Sequence, residues 1–203
     1  MRPSVLYNVI ATLSWPILHG LYRLEARGRE NLPDGGFVLA CNHVSSFDPW
    51  PLGMPLWPER FLRFMAKSEL YWFPLTLILN AGGAFPVRRG HADVEAMETA
   101  LRLAREGNVV AMFPEGTRRK KGLVKKFEAR PRTGAARIAL EAGVPLVPAA
   151  VKGTDRLLSL GPLRVAYGAP IELDDLRGRN PREAATEATD RLMARIAELE
   201  ASL

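Results

Sequence analysis

His43 and Asp48 stand five positions apart in the stretch CNHVSSFDPW, residues 41–50. Imidazole is the side chain best suited to accept a proton near neutral pH. A carboxylate on its second ring nitrogen fixes the tautomer and stabilises the imidazolium. A spacing of five does not align two side chains on an ideal helix, so the intervening VSSF would have to fold back for the pair to meet. The competing reading is structural. Asp48 precedes Pro49, a favoured arrangement for the cap and first residue of a helix, and His43 would then be a polar strand end. No nucleophile is evident: Cys41 adjoins the pair, and Ser45 and Ser46 lie inside the loop.

Two further polar stretches carry donors suited to anions. In GGAFPVRRG, Gly82 and Gly83 permit close backbone approach, and Arg88 and Arg89 suit a phosphate. In FPEGTRRKKG, Gly116 and Thr117 can donate hydrogen bonds, Arg118 can grip a phosphate with both arms, and Glu115 could position a hydroxyl or an arginine. The glycine spacing and lysine of a nucleotide-binding P-loop are missing. From Arg118 to Arg137 lie nine basic residues and one acid, Glu128. An anionic membrane would suit this run. Nucleic acid would suit it less, because Phe127 alone offers a stacking surface there.

The elements that must position these residues follow from periodicity. GFVLACNH, RFLRFMA, AFPV, NVVAMFP, VPLVPAAVKG and LRVAYGAP read as strands. HADVEAMETALRLAREG reads as an amphipathic helix with Val94, Met97, Leu101 and Ala104 on one face, ended by Gly107. PRTGAARIALEAG reads as another helix. The last helix starts at Asn180 as cap, with Pro181 first and Glu183 closing a capping box. KSELYWFPLTLILNAGG reads as an apolar helical hairpin broken at Pro74. Strands alternating with helices imply a layered α/β domain with a largely parallel or mixed sheet flanked by helices. Sites in such folds gather where loops leave the carboxyl ends of strands. His43, Arg89 and Glu115 all fall just past expected strands, so three distant loops could converge.

The totals set the class. A chain of 203 residues with 47% hydrophobic and 25% charged residues suits one domain with a sizeable core. A single cysteine forbids an internal disulfide. The three histidines show no metal-ligand spacing. The net charge of +6 favours anionic partners. Residues 1–28 have a basic start and an apolar middle but no small-residue cleavage site. Asn8, Thr12, Ser14, Pro16 and His19 make the segment a weak membrane span. On a helical wheel Val5, Val9, Leu13, Ile17 and Leu21 form one stripe, flanked by Arg2, Arg23 and Arg27, with Trp15 and Tyr22 suited to an interface. Two readings stay open here: a helix lying in one leaflet, or a helix packed on the domain.

Together these motifs resemble the glycerophospholipid acyltransferases, and among them the bacterial lysophosphatidic acid acyltransferases. NHVSSFD is similar to the N-H-x-x-x-x-D motif, GAFPVRR to the second block, FPEGTR to the third and VPLVPAAV to the fourth. AKSEL also resembles the family. Order and intervals agree over roughly residues 30–170. Arg88 stands where the family commonly has an acid, and EARPRTG is longer and more basic than the usual link.

The resemblance implies a chemistry. His43 would take the proton of an acceptor hydroxyl, Asp48 would orient His43, and the oxygen would attack the thioester of an acyl-CoA or acyl-carrier protein. Lys67, Arg89 and Arg118 would hold the acceptor's phosphate, with Glu115, Gly116 and Thr117 beside it. The acceptor would be 1-acyl-glycerol 3-phosphate and the product phosphatidic acid. No cofactor or metal is expected. Residues 1–28 would be a membrane-associating segment and 29–203 the acyltransferase domain. The protein would sit on the cytoplasmic face of the cell membrane, peripherally or monotopically. Alternative acceptors are glycerol 3-phosphate, another lysophospholipid or a glycolipid. A non-catalytic protein that binds lipid or nucleic acid through its basic face is the rival from another class.

Overall fold

The computed structural model describes residues 3–88, 93–116, 120–121, 124–126 and 131–203. The chain opens with helix α1 (Val5–Pro16), capped by the Ser4 hydroxyl on the Tyr7 amide, and a wider helical turn carries it to Leu21. The strands then follow as β1 (Glu25–Arg27), β2 (Phe37–Cys41), β3 (Leu62–Lys67), β4 (Ala84–Val87) and β5 (Val109–Met112). A small hairpin of β6 (Lys120–Lys121) and β7 (Val124–Lys126) stands apart from the main sheet. β8 (Leu146–Lys152) and β9 (Arg164–Tyr167) complete the sheet. The other helices are α2 (Pro49–Gly53), α3 (Leu75–Ala81), α4 (Val94–Arg105), α5 (Gly134–Ala142) and α6 (Pro181–Ala201).

The seven-stranded sheet runs β1-β9-β8-β2-β5-β3-β4. Every neighbouring pair is parallel except β8 and β9, so the sheet is mixed. β2 lies at the centre and is buried along its whole length. Its residues divide by the two-residue period of a strand. Phe37, Leu39 and Cys41 join the core beneath α1 and α2, with Tyr7, Ala11, Leu18 and Leu52. Val38 and Ala40 join the opposite core under α4, α5 and α6, with Leu103, Ile138 and Leu192. Buried on both faces, a central strand must be apolar throughout, which is why GFVLAC shows no alternation.

Several local expectations need correction. In α4 the buried residues are Ala96, Ala100, Leu103 and Ala104, while Val94 is exposed. Three of these four are alanines, and this face packs against α5. β1 was not foreseen: its three residues are polar or small and all exposed, on an edge strand paired with β9. The apolar hairpin after β3 is a short helical turn at Ser68–Leu70 followed by α3, which starts after Pro74. The helix ends at Gly107, with positive φ, and at Asn180 fall where the sequence places them, and α5 likewise stops at a positive-φ glycine, Gly143.

Candidate active site

β2 ends at Cys41, and the next two residues turn its carboxyl end into a rigid platform. The Asn42 side chain takes over from the ladder: its Nδ2 donates to the Val151 carbonyl at 3.0 Å, and its Oδ1 accepts the Val151 amide at 2.8 Å. One buried amide thus clamps the end of β2 to β8. His43 follows, 6% exposed, with its ring stacked on Phe113 at 4.3 Å between centroids.

The loop VSSF does fold back. His43 Nδ1 lies 2.8 Å from Asp48 Oδ2. The same oxygen accepts the amides of Val44 at 2.8 Å and Ser45 at 3.0 Å. The other oxygen, Oδ1, accepts the Thr154 hydroxyl at 2.5 Å. A carboxylate surrounded by donors can only accept, so the ring proton of His43 sits on Nδ1. Nε2 keeps its lone pair, and no described residue bonds to it. Asp48 is fully buried. It stands at the N-cap of α2 with Pro49 in the first turn, as the sequence suggests, but its side chain makes no cap bond to the helix. Its carboxylate is engaged on the histidine loop instead.

Two neighbours hold this loop in place. Glu115, buried after β5, accepts the His43 amide at 3.4 Å, so FPEG and NH are tied together. Tyr167 in β9 donates its hydroxyl to the Leu52 carbonyl at 2.6 Å and anchors α2. Burial pushes the Tyr167 phenol well above its usual range, so it stays a neutral donor.

Beside His43 lies a pocket of about 250 Å³ over the carboxyl ends of β3, β4 and β5. Met65, Met97 and Met112 supply apolar walls, while Arg88, Arg132 and His43 bring polar groups to it. The N-terminal residues of α4 and α5 also line it. Gly116 sits at φ 67°, and the Arg132 side chain occupies the space a Cβ there would need. The Arg88 amide donates to Asp93 Oδ2 at 2.6 Å. This amide and that of Ala96 hold the Asp93 carboxyl below the usual carboxylate range. The arrangement joins a proton acceptor to an apolar cavity lined also by Arg88, Arg132 and the Asp93 carboxylate. Among the described residues, no group of three or more His, Cys, Asp or Glu side chains is placed to hold a metal ion.

Of the residues singled out in the sequence, His43, Asp48, Glu115 and Gly116 come together here. Lys67 is exposed at the end of β3, in register with Val87, which lines the pocket, while Lys67 itself stands outside the lining. Arg89, Thr117 and Arg118 lie outside the described residues. Cys41 is fully buried in the core under α2. Asn42, Phe113, Arg132 and Thr154 were missed as site residues. Asn42 and Phe113 stood inside the NHVSSFD and FPEGTR motifs and Arg132 inside the unusually basic EARPRTG, whereas Thr154 had no signal.

A sequence model of the family described as Acyltransferase matches residues 23–152. The chain is 35% identical over 187 residues to the 1-acyl-sn-glycerol-3-phosphate acyltransferase of Bacillus subtilis, covering 89% of each chain. It is 32% identical over 139 residues to the human 1-acyl-sn-glycerol-3-phosphate acyltransferase beta, covering 66% of this chain and 48% of that one. The crystal structure of the 1-acyl-sn-glycerophosphate acyltransferase from Thermotoga maritima shares the fold, with a TM-score of 0.68 at 23% identity over 95% of this chain and 79% of that one. With the model matching well over half its length, the chain belongs to the acyltransferase family.

Proposed function

We propose that the protein transfers a fatty acyl group from an acyl thioester to the free hydroxyl of a 1-acyl-glycerol 3-phosphate, forming phosphatidic acid and a free thiol. His43 Nε2 takes the hydroxyl proton as the oxygen attacks the thioester carbonyl. The tetrahedral oxyanion collapses, the carbon–sulfur bond breaks, and the thiolate leaves with the proton that His43 returns. Asp48 holds the ring and its tautomer throughout. No acyl-enzyme forms, in keeping with a buried Cys41. The observation that carries the reading is the 2.8 Å contact between His43 Nδ1 and Asp48 Oδ2, with Nε2 left for substrate at the pocket.

The acceptor's phosphate is assigned to Lys67, Arg89 and Arg118, with Thr117 nearby and Arg132 added from the pocket lining. The N-cap of α5, Thr133, makes no side-chain cap bond, so the helix dipole beside Arg132 also favours an anion. The relatives' names supply the acceptor: the Bacillus and human proteins are both 1-acyl-sn-glycerol-3-phosphate acyltransferases.

The enzyme works at an anionic membrane surface, peripherally or monotopically, on the cytoplasmic side. Among the described residues no helix is long and apolar enough to cross a membrane. The stripe Val5, Val9, Leu13, Ile17 and Leu21 is exposed along its whole length, while Tyr7, Ala11 and Leu18 face the domain. Trp72, Phe73, Leu77 and Ile78, in and before α3, are exposed too. Phe61 joins the two regions: its ring meets Tyr7 edge-on at 4.6 Å and packs beside Gly83 at the end of the α3 turn. An apolar surface of this extent, on a chain of net charge +6, suits an anionic leaflet.

The test is product formation by the full chain with lysophosphatidic acid and two donors, acyl-CoA and acyl-carrier protein. Phosphatidic acid from either donor supports the reading and identifies the donor. No product from both, with a working acceptor control, overturns it.

A further inference from the structure

We infer that Thr154 is a positioning residue for acyl transfer, acting through Asp48 to aim His43. The inference rests on the proposed role of His43 as general base. Thr154 lies 106 positions from Asp48 in sequence, just past β8, and is 2% exposed. It has no place in the apolar clusters of the core. Gly153 delivers it: φ there is 96°, and a Cβ would come within 2.5 Å of the Pro162 carbonyl oxygen. The turn is thus built for glycine, and it points the next hydroxyl at the dyad.

The two carboxylate oxygens have separate tasks. Oδ2 receives His43 Nδ1 and the amides of Val44 and Ser45. Oδ1 receives, among the described residues, only the Thr154 hydroxyl. Asp48 is fully buried, so no bulk water replaces a lost donor. Without the hydroxyl, Oδ1 is left unsatisfied and the plane of the carboxylate is held from one side alone. The carboxylate then turns to find another donor, and Oδ2 loses its line to Nδ1. Thr154 touches neither the pocket nor His43, so it acts only through Asp48. The clamp of Asn42 on Val151 makes the arrangement stiff, because it fixes the strands that carry His43 and Thr154 to one another.

A structural clip would hold the fold, while a positioning residue would hold the rate. Steady-state kinetics of Thr154→Val, Thr154→Ser and Asp48→Ala, singly and combined, separate the two. Thr154→Val should lower kcat by about 10- to 100-fold, the range of a hydrogen bond to a charged group, with KM little changed. Thr154→Ser, which keeps the hydroxyl, should recover most of the rate. In the Asp48→Ala background, Thr154→Val should add no more than about a twofold loss. Losses that multiply, a loss confined to KM, or a Thr154→Val enzyme as fast as wild type would overturn the inference. Thr154→Ala is measured in the same way where the valine variant melts early. His43→Ala in the same assay keeps the two readings apart. If His43→Ala and Asp48→Ala lose activity and Thr154→Val does not, only the role of Thr154 falls. If His43→Ala stays active, the base assignment falls and takes Thr154 with it.

Discussion

Gly116 and Arg132 are packed so closely that a Cβ on Gly116 would stand 2.5 Å from Arg132 Nε and 2.9 Å from its Cδ. The glycine also sits at φ 67°, in the left-handed region. Its missing side chain therefore leaves room for a guanidinium at the pocket beside His43. Two parts of the sequence that read as separate, FPEG and EARPRTG, are one piece of the site.

Gly116→Ala should displace Arg132 and weaken acceptor binding. The backbone strain adds about 1–2 kcal/mol of destabilisation. We expect KM for the phosphate acceptor to rise several-fold, with a smaller change for the thioester. Steady-state kinetics with each substrate varied in turn check this. An unchanged KM for the acceptor would count against Arg132 as a phosphate ligand.

The apolar stripe of α1 should matter to the membrane and little to the fold. Val9 and Leu13 are 48% and 65% exposed, so aspartate at both leaves the core intact. We expect Val9→Asp with Leu13→Asp to keep the wild-type Tm and to abolish co-sedimentation with anionic vesicles. Retained co-sedimentation would shift the membrane contact to α3 or elsewhere.

Tyr167→Phe should loosen the dyad from behind. The substitution leaves the buried Leu52 carbonyl without its 2.6 Å donor. The expected cost is about 1–3 kcal/mol in stability, the penalty of an unsatisfied buried acceptor. Chemical denaturation measures it directly. A neutral result would mean that α2 relaxes onto another donor.

Acid should weaken the attachment of α6. Asp175 receives both arms of Arg191, at 2.8 and 2.6 Å, and this fork holds its carboxyl below the usual range. A carboxyl depressed in the folded state contributes stability above its unfolded pKa and loses it as pH falls through the folded one. The Tm advantage of wild type over Asp175→Asn should therefore be full near neutral pH and shrink below about pH 4. A gap that does not vary with pH would contradict this.

The strands were legible because most of them are buried on both faces and read as continuous apolar runs. β1 was not, since Glu25, Ala26 and Arg27 form an exposed edge that pairs with β9, far along the chain. The face of α4 was misjudged because Val94 was counted as core, whereas Ala96 and Ala100 are the residues packed inside. His43 and Asp48 could be paired on paper because five positions separate them. Asn42 with Val151 and Asp48 with Thr154 could not, because each pair is joined only when β8 lies against β2. Asp48 takes the N-cap position read for it, and its side chain makes no cap bond for the same reason. Its nearest amides belong to the histidine loop, and its second oxygen is taken by a residue from across the sheet.

The most direct test of the base assignment is thiol release from palmitoyl-CoA, or from an acyl-carrier protein thioester if that is the donor, with lysophosphatidic acid present. Wild type and His43→Ala are compared at equal folded concentration. We expect release that requires the acceptor and falls by about 10²–10⁴-fold in His43→Ala, the range of a lost general base. Acceptor-dependent release that survives in His43→Ala would mean that the proton leaves by another route, and the central claim would fail.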